Sequence, residues 1–453
     1  MFRLVPPIEK NGAILRAAQT TFGKLAILLL FGFALRFFLV KDAANMLTLL
    51  LALPTFLPQY RRFVIMGCTL FLTLQLNVLN VANKPLAVTV YGSCLLLGIA
   101  LFTAARAWPT SAFGRRPVLF LLSGHCVLLI VACAIPRSDW LWNFIAVFTT
   151  YLWFIGYALL DSTAKPVRDL PLQVATFRPF WGSTNTPFPK GAAYLRRIEA
   201  KNSEELAIAQ LKGLKLLVWA IILALLSRYW SKFWHSYLSL PTLAQALSAT
   251  MRGSRFPRGT CWVSVFLAFI EQTLSFTIFG HRIIACCRMA GFKALRNTYR
   301  PLSSTTVLEF FNRFYYYYKE LLVDFFFFPT FLRYFKQHKR LRMIAATFAA
   351  GCLGNAFFHF TRDSQLIARD GLVGALRSFQ VFGFYCFVLG TALCISQVRA
   401  RPAKASGFLR GKLVPIASVW TFYSLLNIFG STERTLPLLV HLRFLGSLFY
   451  FNP

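Results

Sequence analysis

Apolar runs of about twenty residues recur along this chain from one end to the other, and most are closed off by basic residues. A hydrocarbon core about 30 Å thick takes about 20 helical residues to cross. Inside lipid each backbone polar group needs a partner from the protein, which leaves the helix as the form for runs of this length. The sequence predicts spans near 24–40, 43–58, 63–82, 86–107, 117–135 and 141–160, then 213–234, 260–284, 305–334, 341–361, 372–397, 409–430 and 435–451. The expectation is an all-α polytopic membrane protein of eleven to thirteen transmembrane helices, with an interfacial helix and re-entrant segments. No soluble stretch intervenes, so residues 1–453 read as a single membrane domain.

Charge supports that reading. The chain holds 49 Lys and Arg against 15 Asp and Glu, a formal net charge of +34, yet only 14% of its residues are charged. Soluble domains carry about a quarter, which excludes an ordinary soluble enzyme. A balance this basic also suits nucleic acid, but the positions speak against it. Arg61 with Arg62, Arg115 with Arg116, Arg196 with Arg197 and Lys339 with Arg340 stand at the ends of apolar runs. There they meet lipid phosphates and set orientation. The bilayer is the expected partner, and nucleic acid is not.

Ten cysteines form no CxxC pair, and Cys68, Cys94, Cys126, Cys133, Cys352 and Cys394 lie inside apolar runs. They suit small apolar packing better than metal ligation, so no metal site is expected. The first two dozen residues lack a compact signal core, and the first hydrophobic segment is expected to be retained.

The longest break covers 161–212 and carries Pro166, Pro171, Pro179, Pro187 and Pro189, which forbid a continuous helix. Trp181 with Phe177, Phe180 and Phe188 makes it apolar enough to lie at the interface or fold back into protein. A plain connector and a substrate lid using Trp181 both stay open. The stretch AAYLRRIEAKNSEELAIAQLKG that follows is amphipathic and is expected to lie flat on the membrane surface.

Acidic residues are few enough to place one by one. Asp42, Asp139, Asp161, Asp169, Glu199, Glu204, Glu205 and Glu433 fall in loops or at helix ends and read as solvated charge or caps. Glu271 differs, because it sits in the middle of WVSVFLAFIEQTLSFTIF. A carboxylate there must face a cavity, pair, or hold its proton. Contact with substrate and helix–helix hydrogen bonding are its competing roles.

The run VLEFFNRFYYYYKELLVDFFFFPTFLRYF, residues 307–335, packs Glu309, Asn312, Arg313, Tyr315, Lys319, Glu320 and Asp324 into an aromatic stretch. On a continuous helix Asn312, Tyr315 or Tyr316, and Lys319 share one face, and Arg313 reaches Glu309 one turn back. Such a ridge in an apolar helix suits the wall of a wet cavity. The next span is rich in small residues (Ala345, Ala346, Ala349, Ala350, Gly351, Gly354), which lets another helix approach closely. Near its end Asn355, His359 and Asp363 recur four apart, so either neighbour is placed to orient the imidazole, the usual base near neutral pH. His235 and His281 sit near span ends, His338 in a basic loop and His441 in the last apolar segment, while His125 has no acidic neighbour. HExxH, GxSxG and Walker patterns do not occur.

The elements EFFNRFYYYYKELLVDFFFFP and AATFAAGCLGNAFFHF, within residues 307–361, resemble the membrane-bound O-acyltransferase (MBOAT) family. The resemblance implies that His359 is catalytic and that a second polar group comes from the upstream helix. That slot falls on Tyr315, a departure from the family's His, Asn or Asp, with Asn312 one turn earlier offering the usual chemistry. It further implies acyl transfer from a thioester, either acyl-CoA or acyl carrier protein, to a hydroxyl-bearing acceptor, with no tightly bound cofactor. The helix pair 305–363 would then be the catalytic centre, and Asn355, Glu271, Lys319 and Trp181 the substrate contacts. The competing reading is a transporter or flippase for lipid or polysaccharide precursors, in which Glu271, Glu320 and Asp324 serve as coupling carboxylates. The bacterial inner membrane and the endoplasmic reticulum both fit.

Overall fold

In the computed structural model, residues 6–75, 84–163, 169–177, 179–183, 186–399, 407–430 and 436–449 are described; Pro166 and Glu433 lie outside them. Helix dominates, and no strand occurs among the described residues, only an isolated antiparallel bridge between Glu199 and Phe292. Among the described residues, eight helices are long and apolar enough to cross a membrane, or up to nine if the bent pair Gly12–Gln19 and Thr21–Leu35 is one span. The protein is a multi-pass integral membrane protein.

Several expected spans take shorter forms. Lys41–Phe56 carries Pro54 within it; Arg61–Gln75 and Leu438–Phe449 are helical over 15 and 12 residues, and 76–82 and 450–451 of the expected spans lie outside the described residues. Residues 305–334 do not form one helix: the run breaks at Tyr315, and from Tyr316 to Arg333 it continues helical with a π-turn over Val323–Phe327.

The chain gathers into two compact units, Met1–Ile222 with Ile278–Arg296, and Leu223–Thr277 with Asn297–Pro453. In the first unit, the bent pair turns by 97° at Thr20, whose hydroxyl accepts from the Gly23 amide and caps the second helix. The proline-rich break folds into protein here. Phe177, Phe180, Trp181 and Phe188 are all buried, and the Trp181 indole N–H donates to the Phe188 carbonyl at 2.8 Å.

The stretch expected to lie flat as one amphipathic helix is divided. Ala192–Ile198 ends where Glu199 turns extended to bridge Phe292, and Ser203 starts the long helix Ser203–Ser231. The reason is a partner far off in sequence. Arg61, buried, takes Glu199 at 3.2 Å and the Ala200 carbonyl at 2.9 Å, which draws this segment out of helical form. Acidic residues otherwise cap and pair as expected. Asp161 accepts from the Ala193 amide at 2.9 Å, Asp169 meets Arg62 at 2.8 Å, and Glu204 and Glu205 occupy the first turn of their helix.

In the second unit, the first part of helix Arg258–Met289 packs with Val307–Phe314, Ser364–Val398 and Val414–Gly430. Phe269, Phe310, Leu389, Leu393, Val419 and Leu426 make the shared core, with the Phe310 and Tyr423 rings 4.0 Å apart. The small residues on the His359 helix do allow close approach. A Cβ on Gly390 would stand 2.9 Å from the Cys352 amide nitrogen, and one on Gly351 would lie 3.3 Å from the Gly390 Cα. Gly371, at φ +69°, puts a kink into Ser364–Val398 that a side chain would resist.

Candidate functional site

The aromatic run is where sequence expectation and structure part most clearly. Val307–Phe314 ends at Tyr315, whose φ of −138° and ψ of 75° are not helical, and Tyr316–Leu322 begins afresh. A helix broken in apolar surroundings leaves amides and carbonyls that need partners. The segment Asn297–Tyr299 supplies them. The Tyr316 amide donates to the Asn297 carbonyl at 2.8 Å and the Tyr317 amide to the Asn297 Oδ1 at 3.2 Å. In return the Tyr299 amide donates to the Arg313 carbonyl at 2.9 Å, and the Thr298 hydroxyl to the Phe314 carbonyl at 2.8 Å.

This break dissolves the expected ridge of Asn312, Tyr315 and Lys319. Asn312 is exposed on the first piece. Lys319, on the second, pairs with its neighbour Glu320 and lies 4.8 Å from the Tyr316 ring centre. Glu309 and Arg313 do close on each other one turn apart, at 2.6 Å. Tyr315, at the break itself, sets its ring 5.6 Å from Phe276 and 5.5 Å from Tyr318.

Tyr318 is the residue that sequence reasoning missed. Its hydroxyl donates to Asn355 Oδ1 at 2.6 Å, and both residues are buried. Asn355 in turn donates to the Gly351 carbonyl at 3.3 Å, one turn below on its own helix. The same Tyr318 ring meets the edge of the His359 imidazole at 5.8 Å. Phe382 at 4.2 Å and Phe358 at 5.2 Å complete an aromatic collar around the half-buried His359. Asp363 does not continue the Asn355–His359 face: the helix Asn355–Arg362 ends there, with Asp363 as its cap, 3.5 Å from Arg362 Nε. A run of four tyrosines offers no clue to which one turns inward, because that register depends on the break.

Chemically, these residues bring an imidazole, two phenols and a carboxamide together inside apolar helices. That set can accept a proton, donate hydrogen bonds and orient a polar reactant. It offers no cluster of three or more metal-ligating side chains among the described residues.

Two other expected contacts have separate settings. Glu271, midway along its helix, pairs with His235 at 3.1 Å, a partner 36 residues distant that no local pattern announces. Trp181 lies in the first unit with its N–H used by Phe188 and its ring 5.5 Å from Phe292, which is the environment of a packing anchor. No protein-family model matches this sequence, and no curated protein matches it either.

Proposed function

We propose that the chain is a membrane-bound acyltransferase that moves an acyl group from a thioester donor, acyl-CoA or acyl carrier protein, to a hydroxyl-bearing acceptor. The observation that carries this reading is the meeting of Tyr318, Asn355 and His359, where a broken aromatic helix packs on a small-residue helix ending in histidine. The resemblance to the MBOAT family, and its bilayer setting in the bacterial inner membrane or endoplasmic reticulum, belongs to the same proposal. So does the fuller count of eleven to thirteen crossings, which takes the shorter apolar helices as spans.

In this reading His359 takes the acceptor's hydroxyl proton as its oxygen attacks the thioester carbonyl. The carbon–sulfur bond then breaks, and the imidazolium returns the proton to the departing thiolate. Tyr315, at the break, is assigned to hold the developing oxyanion. Tyr318 holds Asn355 and steadies the face on which His359 stands. Exposed Asn312 has no part in this arrangement.

The test is release of CoA by purified protein supplied with labelled acetyl-CoA or longer acyl-CoAs, wild type beside His359→Ala. Loss of turnover by roughly 10²–10⁴ in the variant is expected. Turnover unchanged by His359→Ala would sink the assignment. One observation favours the second reading, a transporter or flippase: Glu271 sits paired with a histidine inside apolar helices. Solute or lipid movement that depends on Glu271 and not on His359 would select it.

A further inference from the structure

His235 and Glu271 lie in the second unit, as do the residues assigned to acyl transfer, but form a pair of their own. The helix Ser203–Ser231 widens into a π-turn over Lys232–Tyr237, a distortion frequent at functional sites. The chain then reverses through Ser239 at φ +53°, a left-handed conformation costly for a residue with a side chain. This reversal brings the Leu240 carbonyl back onto the ring. His235 Nδ1 lies 2.8 Å from that oxygen, and His235 Nε2 lies 3.1 Å from Glu271 Oε1. Both side chains are largely covered, at 15% and 28% exposure.

Counting hydrogens gives the consequence. A carbonyl oxygen only accepts, so Nδ1 must carry the hydrogen of that contact. An ionised carboxylate also only accepts. A neutral imidazole with its hydrogen on Nδ1 would then oppose Glu271 lone pair to lone pair. The contact is satisfied only when one more proton lies between Nε2 and Oε1, on either atom. With that proton the pair is neutral overall; without it the pair carries −1 and the contact has no hydrogen.

We propose that His235 and Glu271 form a proton-binding site, holding one exchangeable proton between Nε2 and Oε1, and that losing it opens the pair. The proton leaves to a base in the bulk buffer, and no bond other than N–H or O–H changes. This inference does not rest on the acyl-transfer reading.

The surroundings are simple. On its own segment stand Arg228, Tyr229, Lys232 and Tyr237, all exposed. Among helices packed on this part of Arg258–Met289, Val307–Phe314 brings Glu309 and Arg313, which pair with each other. Ser364–Val398 and Val414–Gly430 bring the phenols of Tyr385 and Tyr423 to that core. The indole N–H groups of Trp230 and Trp234 have no hydrogen-bond partner among the described residues. A carboxylate released from His235 is the kind of acceptor they lack.

Glu271→Gln separates a proton site from a structural contact. Its amide donates to the bare Nε2 of a neutral ring, so the hydrogen bond survives while the extra proton is lost. The experiment uses full-length protein with ¹⁵N-labelled histidine in lipid vesicles at neutral pH. Ring-nitrogen magnetic resonance is read beside the infrared carboxyl band that Glu271→Gln removes, and His235→Gln assigns the ring signal.

The expected result in the wild type is either His235 protonated on both nitrogens or a protonated Glu271 carboxyl, with that proton exchanging in D₂O. In Glu271→Gln, His235 should be neutral with its hydrogen on Nδ1, at an unchanged unfolding midpoint. A wild-type His235 that is neutral beside an ionised Glu271 would overturn the proposal, as would a shared proton that does not exchange. The wild-type spectra decide even if Glu271→Gln does not fold, because the His235→Gln assignment stands by itself.

Discussion

Tyr318 and Asn355 stand 37 residues apart in sequence and meet at 2.6 Å, phenol donating to carboxamide, with both side chains buried. The contact ties the second piece of the broken aromatic helix to the helix that carries His359. Tyr318→Phe leaves the Asn355 oxygen without its donor, which costs about 1–3 kcal/mol. Replacing both partners by apolar groups removes the need as well as the bond, so Tyr318→Phe with Asn355→Leu should cost less than the two single changes added. Unfolding of the four proteins in one detergent measures the coupling. Strict additivity would mean that the two residues do not act together.

Asn297 holds the Tyr317 amide with its side chain and the Tyr316 amide with its backbone. Asn297→Ala should therefore speed hydrogen exchange at Tyr317 more than at Tyr316, and destabilise by about 1–3 kcal/mol. Asn297→Asp keeps an acceptor and should recover most of the protection. Exchange resolved to single amides checks the order.

Gly390 and Gly383 lie on the same helix, Ser364–Val398, but differ in what a methyl group would meet. At Gly390 it falls 2.6 Å from the Cys352 Cβ and 2.9 Å from the Cys352 amide nitrogen, whereas at Gly383 its nearest neighbour is the Phe379 ring at 3.8 Å. Gly390→Ala should destabilise by about 1–3 kcal/mol through overpacking. Gly383→Ala should be neutral or stabilising by up to about 1 kcal/mol, from helix propensity. Equal effects in a thermal unfolding assay would contradict the close approach at Gly390.

Lys215 grips Glu9 through both carboxylate oxygens, at 2.5 and 2.6 Å. Burial pushes the Glu9 carboxyl up, but the Lys215 hydrogen bond and charge outweigh it and hold the group below its usual value. A carboxyl depressed in the folded state adds stability above its unfolded value, and loses it as pH falls through the folded one. Glu9→Gln should thus lower the unfolding midpoint at neutral pH, with the gap to wild type closing on acidification. A gap that widened toward acid would reverse the sign.

Apolar periodicity made the helices legible, because a run of twenty apolar residues has few other fates in lipid. The Glu309–Arg313 pair and the close approach at Gly351 followed from local spacing as well. What the sequence concealed was set by distant partners. The break at Tyr315 depends on Asn297 to Tyr299, and without it no wheel places Tyr318 inside and Asn312 outside. The extended turn at Glu199 depends on Arg61, 138 residues earlier. His235 looked unremarkable near a span end, since neither Leu240 nor Glu271 marks itself as its partner. Spacing alone points to the candidate residues around His359, but not to the contacts among them.

The peg that holds the aromatic helix open, Asn297, is also the residue at which the later segment of the second unit begins. Both the Tyr316 and the Tyr317 amide hang on this one residue, one position short of Tyr318. Tyr318, and with it the contact to Asn355, therefore stands on a bracket with a single wall fixing.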